Sequence, residues 1–163
     1  LERLTTKMLK LITVGAKVDL HDENIDPVLD HLQVYTADIL HKREQSLLIE
    51  SNHPSYRMDH DLMLSLLINL IDNASKASDP GQTIVIKATG NEITIMDQGT
   101  GISSEDLLRI TEPFYTADKS RSKKLSGNGI GLALAQEIAT THNAKLVFES
   151  ELGVGTTAKL IFE

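Results

Sequence analysis

The sequence predicts an α+β fold, a two-layer α/β sandwich whose mixed, mostly antiparallel sheet is covered on one face by helices. Three features carry that expectation. Two long segments, reaching Lys42 and Ser78, repeat apolar residues at helical spacing. Two pairs of short runs alternate apolar and polar residues across glycine-bearing turns. No internal repeat divides the 163 residues, a length that suits one core.

Residues 1 to 14 place Leu4, Met8, Leu11 and Ile12 at helical spacing, as the end of a longer helix would. The chain begins at leucine, so a longer parent protein is expected. Residues 17 to 23 predict a short strand. Asp26-Pro27 then marks a helix start, with Asp26 as cap and proline where a missing N–H does no harm. Val28, Leu32, Tyr35, Ile39 and Leu40 carry that helix to Lys42. Ser46 to Glu50 predicts a strand. A long apolar helix starts at Asp59 or Asp61 and ends near Ser78. Asp79-Pro80-Gly81 is a turn. Thr83 to Thr89 and Glu92 to Met96 read as paired strands across a tight Gly90-Asn91 turn. Ser103 or Ser104 caps a short helix with Glu105 and Asp106 in its first turn. Residues 112 to 128 lack periodicity and predict a mobile segment. Gly129 to Thr141 is helical in pattern. Ala144 to Ser150 and Thr156 to Phe162 predict two strands joined through Gly153 and Gly155.

Composition narrows the function. Apolar residues make up 40% and charged residues 24%, which is a globular balance. The chain has no cysteine, so disulfides and zinc thiolate sites are excluded. Leu62 to Ile71, broken by Ser65 and Asn69, is too short to span a bilayer. A net charge of -7 argues against a general nucleic-acid binder. One run, Asp118 to Lys124, is basic against that trend.

Three stretches carry candidate chemistry. In LSLLINLIDNASKAS, the residues Ser65, Asn69, Asn73 and Lys76 fall within a sector of roughly 100° on a helix otherwise lined with leucine and isoleucine. Such a polar stripe must meet water, a partner or a ligand. Asparagine oxygens suit a hard cation such as Mg²⁺, and Lys76 suits phosphate oxygens. In DQGTGIS, Asp97 ends a strand and two glycines follow at once, which points to a flat group lying against the backbone. In SGNGIGLALAQEIA, Gly127, Gly129 and Gly131 precede a helix, whose free N–H groups and dipole favour an anion. The last is neither a Walker loop nor a dinucleotide fingerprint, because the GK[ST] ending and a preceding strand are both missing.

In their order, NLIDNASKAS, DQGTGI, EPFYTADKSRS, GNGIGLALA and GVGTTAKLIF, these boxes resemble the ATP-binding catalytic domain of sensor histidine kinases. That family lies in the superfamily with gyrase-type and chaperone ATPases, whose fold is of the Bergerat type. The resemblance covers nearly the whole chain. It implies a catalytic domain over residues 15–163 with a mobile ATP lid at about 112–128. It makes residues 1–14 the end of a dimerisation and phosphoacceptor helix.

The resemblance also implies roles. Asp97 would accept a hydrogen bond from the adenine amino group. Gly99 and Gly101 would admit the base, Ile102 would pack on it, and Thr157 would stand near it. Asn73 would bind Mg²⁺, supported by Asn69, and Lys76 would contact phosphate. Tyr115, with Phe114, would anchor the lid beside the nucleotide. Gly127, Gly129, Ile130, Gly131 and Leu132 would line the phosphate-binding helix start. Lys119, Arg121, Lys123 and Lys124 would screen the γ-phosphate. Two positions depart from the family pattern. Ala77 stands where many relatives have an aromatic residue. Thr116 stands where many have the γ-phosphate arginine, which leaves Arg121 as its substitute.

Asn69 separates branches of this superfamily. Hydrolases and serine-directed anti-sigma-factor kinases carry glutamate there, and an amide cannot act as a general base. A histidine acceptor needs no such base, since neutral imidazole is already nucleophilic. The expected acceptor histidine precedes this chain. His21, His31, His41, His53, His60 and His142 lack the phosphoacceptor pattern and form no metal-ligand cluster in the sequence, so they read as surface or structural residues. The implied partners are ATP, the parent's own dimerisation domain in a homodimer, and a response-regulator receiver domain, with no nucleic acid. The implied setting is the cytoplasmic side of a membrane-anchored bacterial protein. A non-catalytic ATP-binding module of the same fold stays open as the alternative, and an anti-sigma-factor serine kinase stands behind it.

Overall fold

A computed structural model of the chain describes residues 18–117 and 129–163. The expected helix over residues 1–14 lies outside them, as does the basic run from Asp118 to Lys124 with Gly127. The described elements are β1 (His21–Asn24), α1 (Asp26–Lys42), β2 (Ser46–Ser51), β3 (Ser55–Met58), α2 (His60–Ala77), β4 (Thr83–Thr89), β5 (Glu92–Asp97), α3 (Ser104–Leu107), α4 (Gly131–Thr141), β6 (Ala144–Glu151) and β7 (Gly155–Phe162).

Five strands form one sheet in the order β2-β4-β5-β7-β6. Only β2 and β4 run parallel; the other three pairings are antiparallel. Parallel neighbours need a crossover, and α2 supplies it. Strand alternation sends Ile84, Ile86, Ala88, Ile93, Ile95, Ala158, Leu160 and Phe162 to one face, where they are buried with the apolar faces of α1, α2 and α4. Polar pairs such as Lys87–Glu50 and Lys159–Glu149 stand on strand positions of the opposite parity. The predicted sandwich, helices on one face of a mixed sheet, is therefore the observed one.

α2 is the centre of the helix layer, flanked by α1 and α4 and lying over β5. Met63, Leu66, Leu67 and Ile71 are fully buried. Its start is set by the Asp59 carboxylate, which accepts from the Leu62 N–H at 3.1 Å. The buried His142 reinforces that start: its Nε2 accepts from the Asp59 N–H at 3.0 Å, and its Nδ1 donates to the Ile138 carbonyl at 2.7 Å. These two bonds define the neutral Nδ1–H tautomer.

Two local expectations change. Asp26 is not the cap of α1 but its first residue. Asn24 Oδ1 instead accepts from the Asp26 N–H at 2.9 Å. That frees the Asp26 carboxylate for Ser51 Oγ and His53, an arrangement that holds the carboxyl below its ordinary value through the His53 hydrogen bond. Strand β3 was not foreseen. Its four residues pair with β1 in a separate two-stranded sheet, and a run that short carries little periodicity.

Replacing Leu67 by alanine removes a fully buried side chain from the middle of this layer. Urea unfolding should show a loss of about 2–5 kcal/mol. Leu48→Ala, at a position 46% exposed, should lose clearly less.

Candidate nucleotide site

The C-terminal end of α2 brings the candidate residues together. Asn73 and Lys76 are half-buried in its last turns. The α1–β2 turn closes this helix end: Gln45 Nε2 donates to the Ser75 and Ser78 carbonyls at 3.0 and 2.8 Å, and Arg43 Nη1 donates to Ser75 Oγ at 2.6 Å. Gln45 thus satisfies carbonyls that a helix end leaves open, while Arg43 holds the Ser75 hydroxyl. Sequence reasoning missed Arg43, Gln45 and Ser75, because a contact between residues about 30 apart leaves no periodic signal.

Asn69 is buried, and its Nδ2 donates to the Ser65 carbonyl at 2.8 Å. One amide hydrogen is thus spent on the helix, and the neutral Oδ1 remains as acceptor. Among the described residues no hydrogen bond engages the Asn73 carboxamide. Lys76 pairs with Asp72 Oδ2 at 2.7 Å, one turn back, and Arg43 approaches the other Asp72 oxygen at 3.7 Å. A phosphate at Lys76 would therefore compete with a carboxylate that Arg43 also attracts.

Asp97 ends β5 on the helix-covered face, in line with Ile93 and Ile95. Its Oδ1 accepts from the Gly99 N–H at 2.8 Å and from the Thr156 N–H at 3.3 Å. Oδ2 takes none of the hydrogen bonds among the described residues. Burial raises the Asp97 carboxyl above its ordinary value, and the two backbone N–H groups oppose that rise.

The glycines behind Asp97 answer to the chain itself. A Cβ on Gly99 would lie 2.3 Å from the Ala77 carbonyl oxygen, and the next N–H, that of Thr100, donates to that same oxygen at 3.1 Å. A Cβ on Gly101, at φ +70°, would lie 2.1 Å from the Glu151 carbonyl oxygen. A Cβ on Gly155 would lie 2.1 Å from the Asp97 carbonyl oxygen. The sequence-based reading gave Gly99 and Gly101 to the approach of a flat base. The structure adds a reason independent of any base: backbone already occupies the space a side chain would need.

Ile102 is half-buried, and its N–H donates to Ser150 Oγ at 2.8 Å. The threonine beside Asp97 is Thr156, not Thr157. Asp97 pairs in register with Thr156, which is buried and shares its hydroxyl with Ser150 at 2.8 Å. Thr157 pairs with Met96 and points to the other face of the sheet. Alternation in β7 held the signal: Ala158, Leu160 and Phe162 share a parity with Thr156.

The remaining predicted residues surround the two ends of the segment 118–128. The Phe114 N–H donates to the Gly129 carbonyl at 2.9 Å. Gly129, at φ +65°, has no room for a Cβ, which would sit 2.6 Å from the Phe114 backbone. The Tyr115 hydroxyl donates to the Asp106 carboxylate, and Arg109 lies over the Tyr115 ring at 4.4 Å. The Asp106 carboxyl is held below its ordinary value, first by that hydroxyl and then by Ser103. Tyr115 thus anchors α3 through an engaged hydroxyl. Ile130 is buried, Gly131 opens α4, and Leu132 packs against the main core. Arg121, Gly127, Lys119, Lys123 and Lys124 lie outside the described residues.

Residues 58–163 match the model of the histidine kinase-, DNA gyrase B-, and HSP90-like ATPase family. The chain belongs to that family. It is 33% identical over 167 residues to the sensor protein SrrB of Staphylococcus aureus strain NCTC 8325 / PS 47, with 96% of this chain aligned. The chain spans 28% of that relative's length. Among solved structures, full-length ShkA in complex with AMPPNP superposes with a TM-score of 0.82 at 20% identity, covering 97% of this chain and 34% of ShkA. The histidine kinase AdeS of Acinetobacter baumannii superposes at 0.75 and 20% identity, covering 99% and 78%. ThkA in complex with the response regulator protein TrrA gives 0.75 at 18% identity, covering 98% and 46%. The fold of this ATPase-family chain is thus that of histidine-kinase catalytic domains.

Two outcomes test the site's construction. Gly101→Ala adds a backbone collision to a positive φ, so it should lower the urea midpoint by more than Gly90→Ala, whose Cβ would meet open space at φ +56°. Asp97→Asn keeps an acceptor for the Gly99 and Thr156 N–H groups. The native carboxyl has a raised folded pKa, so its charged form opposes folding above that pKa and ceases to do so below the unfolded value. Urea curves should show the Asp97→Asn variant the more stable at pH 7, with the gap closing toward pH 3.

Proposed function

We propose that the chain is the ATP-binding catalytic domain of a two-component sensor histidine kinase, transferring the γ-phosphate of ATP to a histidine on a dimerisation domain outside it. The observation that carries this reading is the junction that sets Asp97 beside the end of α2 bearing Asn73 and Lys76. With Oδ1 engaged by two backbone N–H groups, Asp97 presents Oδ2 to the adenine amino group. Thr156, in place of Thr157, stands with it. Ile102 flanks the base, and Gly129 to Leu132 form the phosphate-binding helix start. Gly127 and Arg121 belong to the same lid in this reading.

Mg²⁺ fits the donors present. Asn73 offers one hard carboxamide oxygen, and Mg²⁺ commonly takes one or two protein oxygens and fills its shell with phosphates and water. When bound, it would neutralise charge on the phosphate oxygens. Asn73 would hold it, Asn69 would support that stretch of helix, and Lys76 would exchange Asp72 for phosphate. Phosphoryl transfer asks mainly for positioning and charge screening. A buried amide at Asn69 supplies no base, which suits an imidazole acceptor and not a serine hydroxyl.

The rest of the reading concerns the parent protein. Residues 1–14 end its dimerisation helix and residues 15–163 are the catalytic domain, with a lid at about 112–128. The parent is a homodimer anchored in a bacterial membrane, with this domain on the cytoplasmic side. Its phosphate passes to a response regulator; ThkA's complex with TrrA supports such a partner.

Calorimetric titration with Mg²⁺ and a non-hydrolysable ATP analogue should show binding to the native chain. Asp97→Asn and Asn73→Ala should each lose about 1–3 kcal/mol, roughly 5- to 150-fold in Kd. Labelled ATP should leave no acid-labile label on the isolated chain and should label a dimerisation domain supplied in trans. Binding without that transfer would overturn the kinase reading and leave an ATP-binding module.

A further inference from the structure

The sequence scatters its histidines, but the fold brings two of them together. His31 lies on the exposed side of α1, and His60 is the first residue of α2. His31 Nδ1 and His60 Nε2 are 2.9 Å apart, with the rings edge-on at 75°. Both come from well-held backbone. Val28, Leu29 and Leu32 bury the opposite face of α1. Asp59, just before His60, is tied to Leu62 and to the buried His142. Neither imidazole has a role in the nucleotide site.

The separation has a chemical meaning. Two nitrogens bound to one ion at about 2.05 Å stand ~2.9 Å apart if they subtend a right angle, and ~3.3 Å apart at the tetrahedral angle. Right-angle nitrogen pairs belong to the tetragonal geometry of Cu²⁺ and Ni²⁺. The same pair of rings, turned so that both lone pairs meet at one point, makes a two-toothed ligand. No third His, Cys, Asp or Glu joins it among the described residues. Water would fill the other positions, which the exposure of His31 permits.

We propose that His31 and His60 form a bis-imidazole site for a borderline divalent cation of the Cu²⁺/Ni²⁺ type, stapling α1 to the start of α2. To take the cation, the ring that donates in the His31–His60 pair tautomerises, its N–H proton moving through solvent to that ring's outer nitrogen, so that both facing nitrogens offer lone pairs. The site binds reversibly because the protein supplies only two ligands. It is independent of the nucleotide reading, since its ligands sit at the opposite end of α2 from Asn73 and Lys76.

The test uses the whole untagged chain, titrated with Ni²⁺ by calorimetry and with Cu²⁺ followed by electron paramagnetic resonance. Native protein should bind one ion, show coupling to two imidazole nitrogens, and melt at a higher temperature with Ni²⁺ present. His31→Ala and His60→Ala should each weaken Ni²⁺ binding at least tenfold and abolish the melting shift, and the double variant should be no worse than either single one. His41→Ala should behave as native. Equal affinity in native and His31→Ala protein would overturn the proposal. So would coupling to a single nitrogen, or binding lost instead with His53→Ala or His21→Ala, whose imidazoles lie beside Asp26 and Asp19.

Discussion

The contact on which the site depends is backbone against backbone. The Ala77 carbonyl, at the end of α2, receives the Thr100 N–H at 3.1 Å and faces Gly99 so closely that a side chain there has no space. The β6–β7 turn closes on the other side, where the Gly153 N–H donates to the Thr100 carbonyl at 2.8 Å. Three segments far apart in sequence are thus locked without a side chain between them. Because peptide groups vary little in position once hydrogen-bonded, this junction sets where Asn73, Lys76 and Asp97 stand more firmly than any surface ion pair could.

Asp97 shows what such a site sets against stability. Its carboxylate is partly removed from water, and two N–H groups compensate only one of its oxygens. A chain selected for stability alone would place a neutral acceptor there. Lys76 shows the same tension in milder form, since its charge is held by Asp72 one turn back. Both residues carry charge that the proposed nucleotide, and not the fold, would use.

Much of this was legible in the residues. The helices α1, α2 and α4 and the strands β4 to β7 follow from periods of 3.6 and 2, which local sterics enforce. Asp97, Asn73 and Lys76 stood out because polar groups interrupted otherwise apolar patterns. What failed was of another kind. Thr157 was placed near the base by the family resemblance, although the parity of Ala158, Leu160 and Phe162 already named Thr156 as the residue facing the helices. That Gly99 and Gly101 must also make room for backbone was not legible, because Ala77 and Glu151 lie 22 and 50 residues away.

By itself, then, the sequence determined the elements, the fold class and the list of chemically able side chains, because each is written in short-range spacing and residue type. Only the tertiary structure decided which of those side chains meet. It turned two unrelated histidines into a pair, gave Asp97 its two N–H donors, and set Arg43 and Gln45 over the end of α2. Such contacts arise from the closing of long loops around one core, and a linear pattern has no term for the distance between residues that the core happens to bring together.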